Sequence, residues 1–346
     1  MIRLTMLPGR DGDCLLLEYG NDDFVRRILV DGGRSGTYPL VKPVLAQLGG
    51  FIDLLVVTHV DQDHILGVLA MMEDPDRPVD FGDVWFNGFD HLHDGEVFGA
   101  PDGERLTAAL TEQDLPWNEA FDGRSVEVDH QPSWFDDGST MEVLAPDRTL
   151  LAKLIPRWER ECLDAGLIPG VEPARQVPGF ESFGGADADV DALAARPFKR
   201  DGSPSNRTSI ALLFEFEGRR IVLTGDADDP RLVASIRPRA EEEGGRMRLD
   251  ALKVAHHGSA ANISNDLLGL LDCGRYLIST DGSVHGHPDD VAMARIVKHG
   301  GPDKEIFFNY RDRAELWDID ALKERFGYRV AAPAEGGLDG FVTVEF

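Results

Sequence analysis

The sequence predicts a layered α/β fold on two observations. Short apolar runs rich in Val, Ile and Leu recur, and each gives way to a polar cluster carrying Asp or His. Between several of these runs lie segments with helical spacing of apolar residues. The runs are RRILV (26–30) before Asp31, IDLLVVT (52–58) before His59, RRIVLT (219–224) before Gly225 and Asp226, DALKVA (250–255) before His256, and RYLIST (275–280) ahead of His287. Residues that are apolar consecutively, rather than alternately, suit strands buried on both faces. The helical segments are HILGVLAMM (64–72), PRLVASI (230–236) with Pro230 in the first turn, and NDLLGLL (265–271) after Ser264. Ligands in such sheets gather beyond the carboxyl ends of the strands, where loops converge without disturbing the packed core. Asp and His recur at those ends here, so the candidate site lies there.

The chain is expected to be one domain, 1–346, with an irregular insertion at about 73–205. One helix in that stretch is N-capped by Asp147, carries Leu150, Leu151, Leu154, Ile155, Trp158 and Cys162 on one face, is kinked at Pro156, and stops at Gly166. The segment 181–206, rich in Gly, Ala, Asp and Ser, predicts a long loop. Towards the end, EIFFNY (305–310), the segment around Tyr328 to Ala332 and FVTVEF (341–346) predict strands, with LWDIDALKERFG (316–327) as a helix between them. There is no internal repeat.

Composition bounds the function. The 346 residues hold 35 Lys plus Arg against 62 Asp plus Glu, a formal charge of −27 that repels polyanions and disfavours unaided binding of long DNA. Acid-rich stretches such as EEEGG (241–245) and DADVD (187–191) predict solvated surface. No apolar run is long enough for a membrane span, and the polar N-terminal segment does not fit a signal peptide, so the expected location is cytoplasmic. Cys14, Cys162 and Cys273 are odd in number and widely spaced, which fits reduced thiols.

The segment THVDQDH (58–64) sets His59, Asp61, Asp63 and His64 within six residues after a buried strand. Imidazoles and carboxylates crowded in one space suffer repulsion and desolvation, which a divalent cation relieves. HLHD (91–94) is a second cluster of similar composition, but it has no partner motif downstream and is expected to be a surface loop.

THVDQDH resembles the H-x-H-x-D-H signature of the metallo-β-lactamase superfamily, with Asp61 at the second His. ILVDGG with Asp31 and LTGD with Asp226 are similar to further motifs of that superfamily. GDCLLLEYG near the start, NRTS (206–209), LKVAHHGS (252–259) and HGHP (285–288) resemble the ComEC branch, the hydrolase domain of bacterial DNA-uptake channels, here without the membrane channel. The resemblance implies a four-layer αβ/βα sandwich with two divalent metal ions, manganese or zinc with magnesium as a further option, at the edge of its sheets. It implies His59 and Asp61 on one metal, Asp63 and His64 on the other, Asp226 between them, and His287 at the second site. Of His256 and His257, one would ligate metal and the other protonate the leaving group or hold a phosphate. Asp63 would align the attacking water, and Asp31 would orient a ligand histidine. Asn206 stands where many members carry a further histidine, which leaves one metal site poorer in ligands. Asn206, Ser209 and Ser259 are candidates for hydrogen-bonding an anionic substrate.

Two cations close together lower the pKa of a water between them and supply hydroxide at neutral pH. The ComEC-like motifs point to a phosphodiesterase or nuclease acting on nucleic acid or a nucleotide. The charge favours a short substrate, or nucleic acid delivered by a basic partner protein. Two other readings remain: hydrolysis of a small ester, lactone or thioester, and a regulatory subunit that binds metal without turnover.

Overall fold

The structure is a computed structural model that describes residues 1–92, 101–164 and 189–346. Its strands in chain order begin with β1 (Ile2–Met6), β2 (Leu15–Gly20), β3 (Val25–Val30), β4 (Leu54–Val56) and β5 (Val84–Trp85). They continue with β6 (Thr140–Ala145), β7 (Ala211–Phe216), β8 (Arg219–Leu223), β9 (Ala251–Lys253), β10 (Arg275–Ile278), β11 (Lys304–Phe308), β12 (Tyr328–Ala331) and β13 (Val342–Glu345). A six-stranded sheet runs β13-β1-β2-β3-β4-β5, and a seven-stranded sheet runs β12-β11-β10-β9-β8-β7-β6. Within them β3, β4 and β5 are parallel, as are β8 through β12. The carboxyl ends of those strands therefore open on one edge of each sheet.

Side-chain alternation sorts the apolar runs into layers. In β3, Ile28 and Val30 enter a cluster between the two sheets, while Leu29 enters a different one on the outer face. In β8, Ile221 and Leu223 face the inter-sheet cluster, and Val222 faces outward. The outer cluster of the first sheet is completed by α1 (Tyr38–Leu45), α2 (Gln62–Met72), α3 (Pro101–Glu112) and α4 (Arg148–Asp164). That of the second is completed by α5 (Val190–Ala194), α6 (Asp229–Glu242), α7 (Asn265–Gly269) and α8 (Asp290–His299). The result is a four-layer αβ/βα sandwich, the architecture of the metallo-β-lactamase fold. Every strand in its middle is covered on both sides, which is why the runs are apolar throughout.

Several elements differ from the sequence reading. Segment 73–205 is not wholly an insertion, since it supplies β5 to the first sheet and β6 to the second. The two-residue β5 is too short to carry a strand period. Asp147 does cap α4, accepting from the Leu150 amide at 2.9 Å, and the helix runs through Pro156 to Asp164. The expected stop at Gly166 and the Cys162 side chain lie outside the described residues, as do the end of HLHD and residues 181–188 of the expected 181–206 loop. Within that loop a short helix, α5, forms on Asp189, whose side chain accepts from Ala192 N at 3.1 Å. The helix expected over 316–327 is present as α10 (Asp320–Phe326), shorter at its start, and a further short helix, α9 (Arg311–Glu315), precedes it, with Trp317 buried between the two. Cys14 and Cys273 are buried free thiols. No helix among the described residues is long and apolar enough to cross a membrane.

The tightest backbone approach at the open edge is between the β1–β2 loop and the first turn of α2. A Cβ built on Gly12 would lie 1.6 Å from the Asp63 carbonyl oxygen. Gly12→Ala is therefore expected to cost about 1–3 kcal/mol or more by forcing the two segments apart. Gly202→Ala, where a Cβ meets nothing within 4 Å, is expected to be near neutral. Thermal unfolding of the two variants beside the parent checks this.

Candidate metal centre

The open edge is built from loops of both sheets. Following β4, the chain passes Thr58 and His59 and enters α2, with Asp61 as N-cap and Asp63 and His64 in the first turn. Following β8 comes Thr224, Gly225 and Asp226, with Gly225 at φ +49°, a left-handed turn. Following β9, His256, His257 and Gly258 are left-handed in succession, at φ 49°, 54° and 89°. Non-glycine residues held there cost of order 1–3 kcal/mol each, a strain that concentrates at functional sites. Here the turn aims two adjacent imidazoles at the same edge.

Four imidazoles point their Nε2 atoms into this space because each Nδ1–H is held from behind. The Thr58 hydroxyl donates to Asp31 Oδ2 at 2.8 Å, so its oxygen accepts from His59 Nδ1 at 3.0 Å. Asp31 Oδ2 also accepts from His64 Nδ1 at 2.8 Å. The Ser279 carbonyl accepts from His257 Nδ1 at 2.9 Å, and Asn262 Oδ1 accepts from His256 Nδ1 at 2.9 Å. Anchoring one ring nitrogen in this way leaves the other with its lone pair facing the site.

Asp226 stands between the four rings. Its Oδ2 lies 3.7 Å from His59 Nε2 and 3.6 Å from His256 Nε2. Its Oδ1 lies 3.4 Å from His64 Nε2 and 3.5 Å from His257 Nε2. Asp61 Oδ2 is 3.7 Å from His59 Nε2, while its Oδ1 accepts from Ser205 Oγ at 2.5 Å. Asp63 Oδ2 is 3.4 Å from His257 Nε2 and 3.9 Å from His64 Nε2. The donor atoms of His59, His64 and Asp226 lie within 4.8 Å of one another, as do those of Asp63, His64 and His257.

The donor set fits divalent cations. His59 Nε2 and Asp226 Oδ1 are buried and have no hydrogen-bond partner among the described residues, although both point at other polar atoms. Orphans of that kind are rare and costly in folded proteins unless something else completes them. Charges inside the cluster are strongly perturbed. Burial pushes His257 down, but Asp226 and Asp13 outweigh it and raise it to about 10. Burial likewise lowers His256, and Asp226 and Asp201 raise it to about 9. His59, with burial and His64 against it, is lowered. Burial raises Asp63 and Asp226, and the surrounding histidines overcome this and hold both below the usual carboxylate range. Protons on the imidazoles thus balance the carboxylates in the positions where a cation would.

Other candidate residues fall elsewhere. His287 is outside the ligand groups: its ring stands 5.2 Å from that of His256, and its Nδ1 is 3.2 Å from Asp289 Oδ1. His257, and not His287, stands beside Asp63 and His64. Ser209, considered for substrate binding, is fully buried, with its Oγ accepting from Asp226 N at 3.1 Å and lying 3.0 Å from His59 Nδ1. It braces ligands and has no surface for a substrate. Ser259 is a turn residue whose Oγ accepts from Ala261 N at 3.3 Å. Buried Asn206 donates to Asp201 Oδ2 at 2.8 Å.

Sequence reasoning missed Asp13, Asp201 and Asn262. Asp13 Oδ1 sits 3.3 Å from His257 Nδ1, and Asp201 Oδ2 lies 3.4 Å from His256 Nδ1. The GDC segment that carries Asp13 was a usable signal. Asp201 and Asn262 lie in loops without periodicity, where no pattern marks them.

No known protein family model matches the chain, and neither does any curated protein sequence. Several solved structures are similar to it. They include the metallo-beta-lactamase fold protein YhfI from Bacillus subtilis, at 13% identity and a TM-score of 0.44 over 100% of both chains. Human tRNase Z, short form, matches at 9% identity and a TM-score of 0.41, over 100% of this chain and 99% of that one. CmlA, a diiron beta-hydroxylase from Streptomyces venezuelae, matches at 14% identity and a TM-score of 0.42. The chain spans 54% of the length of CmlA, while all of it is covered. At these identities and scores the likenesses assign no residue a role here.

The cluster is expected to take up two equivalents of a divalent metal and to release protons as it does so, because each cation displaces protons from imidazoles. Affinity should fall as pH is lowered. Asp226→Ala should lose both equivalents, and Asp63→Ala with His64→Ala most of the metal, with the fold retained in each. Elemental analysis and calorimetry in buffers of different ionisation enthalpy check this, and unchanged metal content in the variants would contradict it.

Proposed function

We propose that this chain is a metal-dependent hydrolase of phosphodiesters. The observation that carries the metal reading is the inward set of four Nε2 atoms around Asp226, with every Nδ1 held from behind. Two cations would be held by His59, Asp61 and Asp226 and by Asp63, His64, His257 and Asp226, with His256 left unligated at the rim. Two divalent cations, when bound, supply an acidified water and polarisation of the bond under attack. The protein's own groups do the rest. Asp63, at the rim with a side chain 13% exposed, would accept a proton from the attacking water and align it. His256, 19% exposed and steadied by Asn262 and Asp201, would hold a proton at Nε2 for the leaving oxygen.

The choice of phosphodiesters rests on the resemblance of LKVAHHGS, NRTS and HGHP to the ComEC branch. A charge of −27 opposes long polyanions, so the proposal is for a nucleotide-sized or short single-stranded substrate, or for nucleic acid presented by a basic partner. The buried free thiols Cys14 and Cys273 fit a reducing, cytoplasmic setting.

Bis-p-nitrophenyl phosphate and a short single-stranded oligonucleotide are expected to be cleaved in the presence of divalent metal, and Asp226→Ala is expected to reduce kcat/KM by at least 100-fold. If a panel of phosphodiesters stays intact while a lactone or thioester turns over, the substrate class is the small ester. If nothing turns over while metal binds, the regulatory reading holds.

Asp61 determines the expected metal preference. A carboxylate where the signature carries imidazole, together with Asn206 in place of a histidine, shifts the site of His59, Asp61 and Asp226 towards oxygen donors, which suit manganese or magnesium better than zinc. Manganese is therefore expected to support faster turnover than zinc, and Asp61→His to narrow or reverse the difference. Apoprotein reconstituted with each ion checks it, and faster turnover with zinc in the parent, unshifted in the variant, would contradict it.

A further inference from the structure

Lys253 is fully buried, on the last position of β9, three residues before the first imidazole of the left-handed turn. Its ammonium donates to Asp13 Oδ2 at 2.6 Å and to the Val254 carbonyl at 3.0 Å. Asp13 is 1% exposed and belongs to the β1–β2 loop of the other sheet. The pair thus spans the sandwich beneath the candidate centre, whose donors come from both sheets. Around it the same β1–β2 loop is joined to the segment after β10 by Ser279 Oγ donating to the Gly12 carbonyl at 3.0 Å, and by Asp281 N donating to the Arg10 carbonyl at 2.8 Å.

The second oxygen of Asp13 is what gives the lysine a role beyond bracing. Oδ1 lies 3.3 Å from His257 Nδ1, yet it has no hydrogen-bond partner among the described residues. The Nδ1 proton goes instead to the Ser279 carbonyl at 2.9 Å, and that bond turns Nε2 towards Asp63, His64 and Asp226. A carboxylate is a stronger acceptor than a carbonyl. Lys253 holds the other oxygen of that carboxylate, and Oδ1 stands beside Nδ1 without bonding it.

We infer that Lys253 is a positioning residue for the candidate centre: by holding Asp13 it leaves His257 bound to the Ser279 carbonyl, with its Nε2 aimed into the donor group shared with Asp63 and His64. Removing the ammonium frees Asp13 to take the Nδ1 proton, and the ring rotates with it. The inference rests on the metal reading above. Because His257 is the member that, with Asp63, distinguishes its donor group from that of His59, His64 and Asp226, the main consequence falls on one of the two sites.

The experiment titrates cobalt(II) into metal-free parent, Lys253→Met and Lys253→Met with Asp13→Asn, reading visible absorption bands and stoichiometry, with unfolding of each apoprotein measured alongside. The parent is expected to bind two equivalents. In Lys253→Met one equivalent should weaken by at least tenfold with altered bands, while the other keeps its affinity. The double variant, which removes both charges, should regain both equivalents with parental bands. Removing a buried pair together is often nearly neutral for folding, whereas leaving one member alone is strongly destabilising. If Lys253→Met does not fold, the double variant decides: two parental sites support the inference, and a persistent loss of one overturns it. Parental binding in a folded Lys253→Met also overturns it, as does an equal weakening of both sites in step with lower apoprotein stability, which would make the pair a brace alone. A parent that binds no cobalt would instead sink the metal reading.

Discussion

Asp226 and the imidazoles around it impose the constraint on which the open edge depends. A carboxylate with both oxygens buried, and four ring nitrogens within 3.7 Å of one or the other, cannot rest in a low-dielectric space without positive charge among them. Protons supply that charge in the metal-free protein, and cations of suitable size can replace them. The surroundings are arranged to keep the rings in place whichever is present. Thr58, Asp31, Ser279 and Asn262 each hold one Nδ1, so that orientation does not depend on the occupant. Ser209 adds a further tie, linking His59 to the Asp226 backbone.

Such an arrangement needs two sheets. His59, Asp61, Asp63 and His64 follow β4, whereas Asp226, His256 and His257 follow β8 and β9. Neither sheet could form the cluster alone, and a small slip between them would undo it. The inter-sheet cluster of Leu, Ile, Val and aromatic side chains supplies most of the cohesion but little directional precision. Direction comes from the polar contacts at the edge: the buried Lys253–Asp13 pair, Ser279 on the Gly12 carbonyl, and the close packing of Gly12 on the Asp63 backbone. Arg34, paired with Asp11, anchors the same β1–β2 loop from the first sheet's side.

The large negative charge acts on a different scale from these contacts. Many of the surface carboxylates are paired, as in Asp191 with Lys298 and Arg325 or Asp318 with Lys323, and these contribute little individually. Their sum still sets the field that an approaching polyanion meets. Chemistry at the edge and access to it are therefore separate questions. The first is set by buried geometry and the second by the whole surface.

Much of this was legible in the sequence, for a definite reason. Strands covered on both faces must be apolar at every position, so RRILV, IDLLVVT and RRIVLT announce themselves, and the Asp and His residues just past them lie by necessity at one edge. Crowding of His59, Asp61, Asp63 and His64 within one turn is likewise a local property. The sequence did not reveal β5 or α9, which are short elements held by tertiary packing and not by their own periodicity. Nor could it separate His256 from His257, which are neighbours in the chain but face opposite oxygens of Asp226 because the backbone turns left-handed between β9 and Gly258. Asp13 had a signal in the GDC segment, whereas Asp201 and Asn262 became visible only when the loops folded around His256. The sequence alone determined the layers and the kind of chemistry at their edge, since both follow from local burial and local crowding. Which residue stands behind which ring was decided by tertiary structure, because partners such as Asp31 with His64 or Ser279 with His257 meet only when separate loops fold together, and such a pairing leaves no pattern in the chain.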